Sequence, residues 1–410
     1  MTIDGARART FNAFRYPNFR RYWWGAVVSM VGTWVQGTAL AFFVWELTRS
    51  PLATSLPMFF FGAPTLGLGL FGGVLADRVD RRRLLIVTQT LFMLQAAALA
   101  ALTWLDLIRV WHIYLLSFLN GMTMAVDSPA RQSLVPRLVE REDLTNAIAL
   151  NALVFNGSRI VGPPIGGLLY AAAGPAAAFF ANALSYLAVI YPLAGMRLPR
   201  QEDGVRASVW ADLREGLAYV WREPIVRTLL LLVALMGTFA FSYLVLMPVM
   251  TTTVLGGGAK ENGYLLGLVG VGSTSGALLV AATGAGEHPG QRLLALGALA
   301  AGALLIFAFS RGVILSAAVL FVVGLAIIGF LSTANATIQH LVPDALRGRV
   351  MSVYGLALIG SGPLNSLLAG VLGDLLGAPQ AIAVSALGIL LPLAVLALRA
   401  RALQSYTSQV

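Results

Sequence analysis

The chain contains no cysteine, so disulfides, thiolate metal sites and a cysteine nucleophile are excluded at the outset. Histidine is nearly as scarce. His112, His288 and His340 stand far apart, and their spacing suits neither a zinc site nor a histidine base. Charge is thin as well: Asp, Glu, Lys and Arg make up 11% of the 410 residues, against 58% hydrophobic residues, and the mean hydropathy is +0.79. A soluble globular domain carries roughly 25% charged residues, so most of this surface must meet lipid. A Walker-type phosphate loop for ATP is missing. So is any Ser/His/Asp or His/Glu grouping that would serve a membrane-embedded enzyme. No cofactor is implied.

What the sequence does have is long apolar runs. A membrane-spanning helix needs about 20 mostly apolar residues in succession, and runs of that length fall at about 22–46, 53–75, 84–104, 112–130, 144–171 and 176–196. After a polar stretch come six more, at about 226–250, 262–283, 293–310, 313–339, 349–376 and 379–398. The expected fold is an all-α integral membrane protein with twelve transmembrane helices. The first 24 residues are basic and polar for too long to be a cleavable signal, so the first span is expected to stay in the mature protein.

The formal charge is +10, but the basic residues form no nucleic-acid patch. They lie in short gaps between apolar runs, and 23 of the 28 fall on one side of an alternating twelve-span arrangement. By the positive-inside rule that side is the cytoplasm, with both termini on it, as expected for a bacterial inner-membrane protein. Seven of the eight tryptophans sit near the expected interfaces or in the central loop, and Trp34 alone lies deep.

The central stretch from Ala207 to Pro224 carries Trp210, Leu213, Leu217, Val220 and Trp221 at helical spacing, with charges between them. It reads as an amphipathic helix on the cytoplasmic membrane surface. The run that begins at Leu134 (LVPRLVEREDLTNAIAL) recurs in outline at Leu341 (LVPDALRGRVMSVYGLAL). This repeat divides the chain into pseudo-symmetric six-helix bundles at 1–196 and 226–410, the second with a short cytoplasmic tail, joined by a linker at 197–225. Parallel repeats of this kind hold the substrate site of one large transporter class between their halves.

Between the second and third spans stands Gly73-Val-Leu75-Ala-Asp77-Arg78-Val-Asp80-Arg81-Arg82-Arg83. This resembles the cytoplasmic loop signature of the major facilitator superfamily, with Asp80 where that pattern has glycine; Asp80 is expected to take over a tight left-handed turn. The resemblance implies that Asp77 lies near the start of the eleventh helix, at about 348–352, and helps to hold the cytoplasmic side closed. In the fifth span, Gly162-Pro163-Pro164-Ile-Gly166-Gly167 is similar to the signature of drug/proton antiporters, which suits a hinge against a neighbouring helix. The segments MAVDSPARQSLVP, EREDLTNA and REGLAYVWREP resemble the subfamily of enterobactin exporters and macrolide efflux proteins. A basic residue common in the fourth helix of other drug antiporters is replaced here by Ser117, ahead of Asn120 and Gly121.

Polar groups inside a span normally face the bundle interior or a water-filled cavity. Ser29, Gly32, Thr33 and Gln36 share one face of the first span. Ser332, Asn335 and Gln339 do so in the tenth, and Tyr354, Ser361 and Asn365 in the eleventh, whereas the ninth is apolar all round. With Trp34 and Asn120, these are the candidate cavity residues. Each of them equally suits an interhelical hydrogen bond or plain packing. Arg159 is the deepest ionisable group, and is expected to line the path or to pair with an acid. Asp127 and Arg131, at i and i+4, suit either a cytoplasmic gate pair or a solvated ion pair. Glu46 and Asp374, near the outer ends, are candidates for binding and releasing a coupled proton. Export of a small lipophilic or amphiphilic molecule driven by protons fits these features; import of a polar nutrient is the alternative, and a membrane-embedded enzyme a further one.

Overall fold

The computed structural model describes residues 11–196 and 209–399; at 70–78, 209–212 and 398–399 it describes the helical backbone alone. Ten helices among the described residues are long and apolar enough to cross a membrane. The longest of these stretches, Arg141–Gly195, turns sharply at Gly174, whose φ of 78° is accessible to glycine at little cost, and so supplies the fifth and sixth spans. Val110–Leu134 is the fourth span, diluted in hydropathy by Ser117, Asn120, Asp127 and Arg131. The total is twelve, matching the apolar runs. No strand occurs among the described residues, as lipid demands of a non-barrel chain, because a helix satisfies its backbone polar groups internally.

The remaining spans are Pro17–Thr48, Pro51–Arg78 and Arg81–Trp104 in the first half. In the second half the seventh span is interrupted, running as Pro224–Phe239, Ser242–Val249 and a wide turn at Met250–Val254. Then follow Ala259–Thr283, Pro289–Phe309, Val313–Leu341, Asp344–Leu376 and Ala378–Arg399. Proline opens the second, seventh and ninth spans, at the one turn where its missing N–H costs nothing. The two copies of the Leu-Val-Pro repeat stand at equivalent places, at the fourth-to-fifth and tenth-to-eleventh connections.

Two compact units emerge. One contains residues 1–43 and 63–204, the other 44–62 and 205–410. The division departs from the expected 1–196 and 226–410 in one respect: residues 44–62, the end of the first span and the start of the second, belong with the C-terminal helices. The reason is local. Trp45 donates its indole N–H to Thr252 (2.7 Å), and Ser55 leaves no room for a side chain at Gly370.

Lipid tails are as apolar as leucine, so helices in a membrane associate through close packing and hydrogen bonds more than through water exclusion. Small residues provide the approach. In the first unit Gly25 lies against the Ala188 carbonyl and Gly32 against Ser185, so that the first span presses on the sixth. In the second, Gly272 meets the Phe321 carbonyl and Gly324 the Val269 carbonyl, which joins the eighth span to the tenth. The ninth span packs on the tenth and twelfth and leaves Leu299, Ile306 and Phe309 exposed on one face, where lipid is expected.

The linker forms a helix, Val209–Arg222. Val220 is buried, Gly216 rests on the Arg349 backbone, and Glu215 pairs with the Arg349 side chain at 2.8 Å. The helix is therefore anchored to the start of the eleventh span. Leu217 and Trp221 remain exposed for the membrane surface; the side chains of Trp210 and Asp212 lie outside the described residues.

Candidate functional site

The first unit places Asp127 at the centre of a buried polar cluster. This carboxylate is 1% exposed and accepts from Thr88 Oγ1 (2.6 Å), Gln89 Nε2 (2.8 Å), and Arg131 Nε and Nη2 (3.2 and 3.0 Å). A solvated surface pair, one of the two expectations, is ruled out by that burial. The cluster ties the start of the third span to the end of the fourth. Charge-assisted hydrogen bonds of this kind are roughly twice as strong as neutral ones. Thr88 and Gln89 carried no motif, and their adjacency to Asp127 arises only from helix packing.

The loop between the second and third spans is held by its arginines. Arg82 donates to the carbonyls of Leu193 and Ala194 at the end of the sixth span, and Arg81 reaches the Ser133 carbonyl at 3.5 Å. Arg82 thus satisfies carbonyls that a helix end leaves without partners. Gly73, Asp77 and Arg78 lie where only the backbone is described, so the expected contact of Asp77 falls outside the described side chains. Asp80 corrects the reading of this loop. Its φ is −54°, not left-handed, and its side chain accepts from the Arg83 backbone N–H at 2.8 Å. Asp80 caps the third span, a role at which aspartate excels and which glycine fills without a side-chain bond. Beside this loop, burial and the neighbouring Arg81 charge hold the Arg137 guanidinium below its ordinary pKa.

The glycines of the fifth-span signature act by proximity. A side chain at Gly162 would strike the Cβ of Trp34, and one at Gly166 would meet the Val35 carbonyl at 2.8 Å. Pro163 and Gly167 are buried beside them. This is a close seam between the first and fifth spans. Across the seam Arg159 lies 5.9 Å from the Trp34 ring centre, in cation–π geometry. Its ion pairs among the described residues number none, so the expectation of an acidic partner is not met and an aromatic face takes that place.

The polar face of the first span has found partners on the sixth, which the sequence reading did not single out. Gln36 accepts from Asn182 Nδ2 at 2.8 Å, and the Thr33 hydroxyl stands 3.5 Å from that of Tyr186. Asn182 is 1% exposed. Thr33 is itself exposed and Gln36 half-buried, so the face still offers polar atoms. Asn120 is half-buried on the fourth span. The EREDLTNA segment is a clamp for the chain's start: Asp143 pairs with Arg15 at 2.8 Å, and Asn146 accepts from the Ala13 backbone at 3.0 Å.

In the second unit, Asn365 is 1% and Ser361 6% exposed, so neither faces an open cavity as expected. Both face the seventh span. Asn365 donates to the Thr238 carbonyl, and Ser361 occupies the space that the absent side chain of Gly237 leaves. The physical reason is the interruption at Ala240 and Phe241, which frees carbonyls that lipid cannot satisfy. Gln339 donates to Asn335 at 2.6 Å on the exposed last turns of the tenth span, and Tyr354 donates to the Leu331 carbonyl.

At the connection between the first and second spans, Asp374 accepts from Ser50 Oγ (3.1 Å) and the Leu52 backbone N–H (3.1 Å). It caps the start of the second span from the end of the eleventh. Glu46 is exposed one turn before Ser50, while Arg49 lies over Trp45. Among the described residues no group of His, Asp and Glu could hold a metal ion.

A family model described as transmembrane secretion effector matches residues 8–409. Among curated relatives, the chain is 26% identical over 356 residues to the staphyloferrin A transporter of Staphylococcus aureus, covering 85% of this chain and 87% of that one. It is 28% identical to the multidrug efflux pump Tap of Mycolicibacterium fortuitum, over 86% and 88% of the two chains. To the enterobactin exporter EntS of Shigella boydii it is 27% identical, over 92% and 90%. Among solved structures, an inward-facing, occupied bacterial homologue of the human lysosomal transporter Spinster shares the fold with a TM-score of 0.72, at 13% identity and coverages of 94% and 96%. Its unoccupied form gives 0.70.

Fold and relatives together define a multi-span transporter of the major facilitator class, and not an enzyme. More narrowly, the chain belongs to the transmembrane secretion effector family.

Proposed function

We propose that this transporter exports a small lipophilic or amphiphilic molecule across the bacterial cytoplasmic membrane by alternating access, coupled to proton entry, with both termini in the cytoplasm. Relatives named for export or efflux of a siderophore and of drugs support the direction. The observation that carries the substrate class is Arg159 over the Trp34 face, in a unit whose spans are otherwise weakly polar. An aromatic ring paired with a cation that has no carboxylate partner among the described residues suits a ligand with a flat apolar part and a partial or full negative charge. A polar nutrient would call for more charged or bidentate groups than this face offers.

Two carboxylates are suited to proton coupling. Asp127, near the cytoplasmic end, and Asp374, near the outer end, each accept several hydrogen bonds in the ionised form. Glu46 stands close to the outer one. The cytoplasmic orientation of the termini rests on the arginine distribution.

The test is susceptibility of cells with and without the gene to a panel of lipophilic drugs and siderophores, repeated with the proton gradient collapsed. Protection that disappears with the gradient is the expected result. Unchanged susceptibility across the whole panel would overturn the reading.

A further inference from the structure

A groove of about 790 Å³ opens on the first unit between the start of the first span and the end of the sixth. It is lined by Arg20, Arg21, Trp24, Val28, Tyr191 and Pro192, among others. We infer that this groove binds one anionic phospholipid of the cytoplasmic leaflet, with Arg20 and Arg21 on the phosphate and an acyl chain along Val28 and Pro192.

The first argument is the order of the lining. Arg20, Trp24 and Val28 lie four residues apart on one face of a helix that enters the membrane at Pro17. Each step is therefore about 6 Å deeper than the last. Charge, then an amphipathic ring, then a branched aliphatic is the sequence of environments a phospholipid presents from phosphate through ester region to chain. Tyr191 repeats the ring on the sixth span. It is 84% exposed and Trp24 59%, which leaves two large aromatic faces for a ligand to cover.

The second argument is charge complementarity. Three arginines at the same end of this unit have their guanidinium groups engaged: Arg15 by Asp143, Arg82 by the Leu193 and Ala194 carbonyls, Arg131 by Asp127. Arg20 and Arg21 are exposed and make no ion pair or side-chain hydrogen bond among the described residues. Two adjacent cations without a protein anion, above an apolar slot, match a phosphodiester tethered to hydrocarbon.

The third argument is rigidity. Gly25 seats the first span directly on the Ala188 carbonyl at the floor. Arg82 fixes the far rim through the carbonyls of Leu193 and Ala194. Trp24 packs edge-on against Trp23, whose indole donates to the Leu150 carbonyl at 2.9 Å. The groove is thus formed before a ligand arrives, which lowers the entropic cost of ordering one.

Native mass spectrometry of the purified full chain tests this, with phosphatidylglycerol or phosphatidylcholine added at equal concentration. The unsubstituted protein should retain one phosphatidylglycerol in preference to phosphatidylcholine. Arg20→Gln with Arg21→Gln should reduce that preference about thirtyfold, the effect of two arginines at an anionic surface. A charge-matched control, Arg214→Gln with Arg222→Gln on the linker helix, should leave it intact, and Val28→Trp, which fills the slot while keeping both arginines, should lower it. Equal loss in the control, or full retention in Val28→Trp, would overturn the assignment, as would displacement of the lipid by millimolar inorganic phosphate, which marks a free-anion site. The measurement involves no transport, so it stands or falls apart from the proposed export function.

Discussion

The side-chain amide of Asn365 in the eleventh span donates to the backbone carbonyl of Thr238 in the seventh, at 2.7 Å, just where the seventh helix is interrupted. A broken helix is tolerated at membrane depth only where its freed backbone groups are satisfied by protein or water. Asn365 does this for one of them. It also explains why a polar side chain that is 1% exposed is kept in an otherwise apolar surrounding.

Replacing Asn365 by Leu should therefore lower stability by about 1–3 kcal/mol, the cost of a buried acceptor left without a donor. Asn365→Gln, with the same chemistry on a longer arm, should recover part of it. Thermal unfolding of the two variants in detergent checks this. Equal melting temperatures for Asn365→Leu and the unsubstituted protein would show that the carbonyl is satisfied elsewhere.

The Asp127 cluster predicts a sharper loss. Asp127→Asn leaves the Arg131 guanidinium without its counter-charge in a buried place, at a cost of about 3–5 kcal/mol. The double variant Asp127→Leu with Arg131→Met removes both charges and should regain most of the folded yield. If the pair gates transport, that well-folded double variant remains inactive in proteoliposomes. Full activity would reduce the cluster to a structural brace.

Arg159→Ala should abolish transport of the exported compound and leave the melting temperature nearly unchanged, since Arg159 makes no ion pair among the described residues. Arg159→Lys should retain part of the activity, because an ammonium over Trp34 keeps the cation–π attraction but loses the planar fork. Transport by Arg159→Ala at the original rate would remove this residue from the path.

Asp374→Ala removes a cap from the second span worth about 0.5–2 kcal/mol. The absence of native cysteine makes a clean probe available. A single Leu52→Cys should react faster with a membrane-impermeant maleimide in the Asp374→Ala background than in the parent. Identical labelling rates would mean that the cap does not hold this turn.

Gly162→Leu should press against Trp34 and cost about 1–3 kcal/mol as an overpacked contact. Gly157→Leu, at a position with nothing within 4 Å, serves as the tolerated control. Expression of monodisperse protein after size-exclusion chromatography separates the two.

The sequence by itself determined the number and course of the spans, because a bilayer about 30 Å thick imposes one length of apolar run on every helix that crosses it. It also determined the close seam at Gly162 and Gly166, since small residues in lipid have few other uses. The tertiary structure alone decided which polar side chains are engaged and with whom. Asp127 draws Thr88 and Gln89 from another helix, Gln36 meets Asn182, and Asn365 turns to a helix break that no periodicity announces, because helical spacing fixes the face of a residue but not the neighbour packed against it. The same limit governs Asp80, whose role as a cap depends on the φ and ψ of one loop residue, and residues 44–62, which join the C-terminal unit through Trp45, Ser55 and Asp374 although the chain reaches them long before the linker.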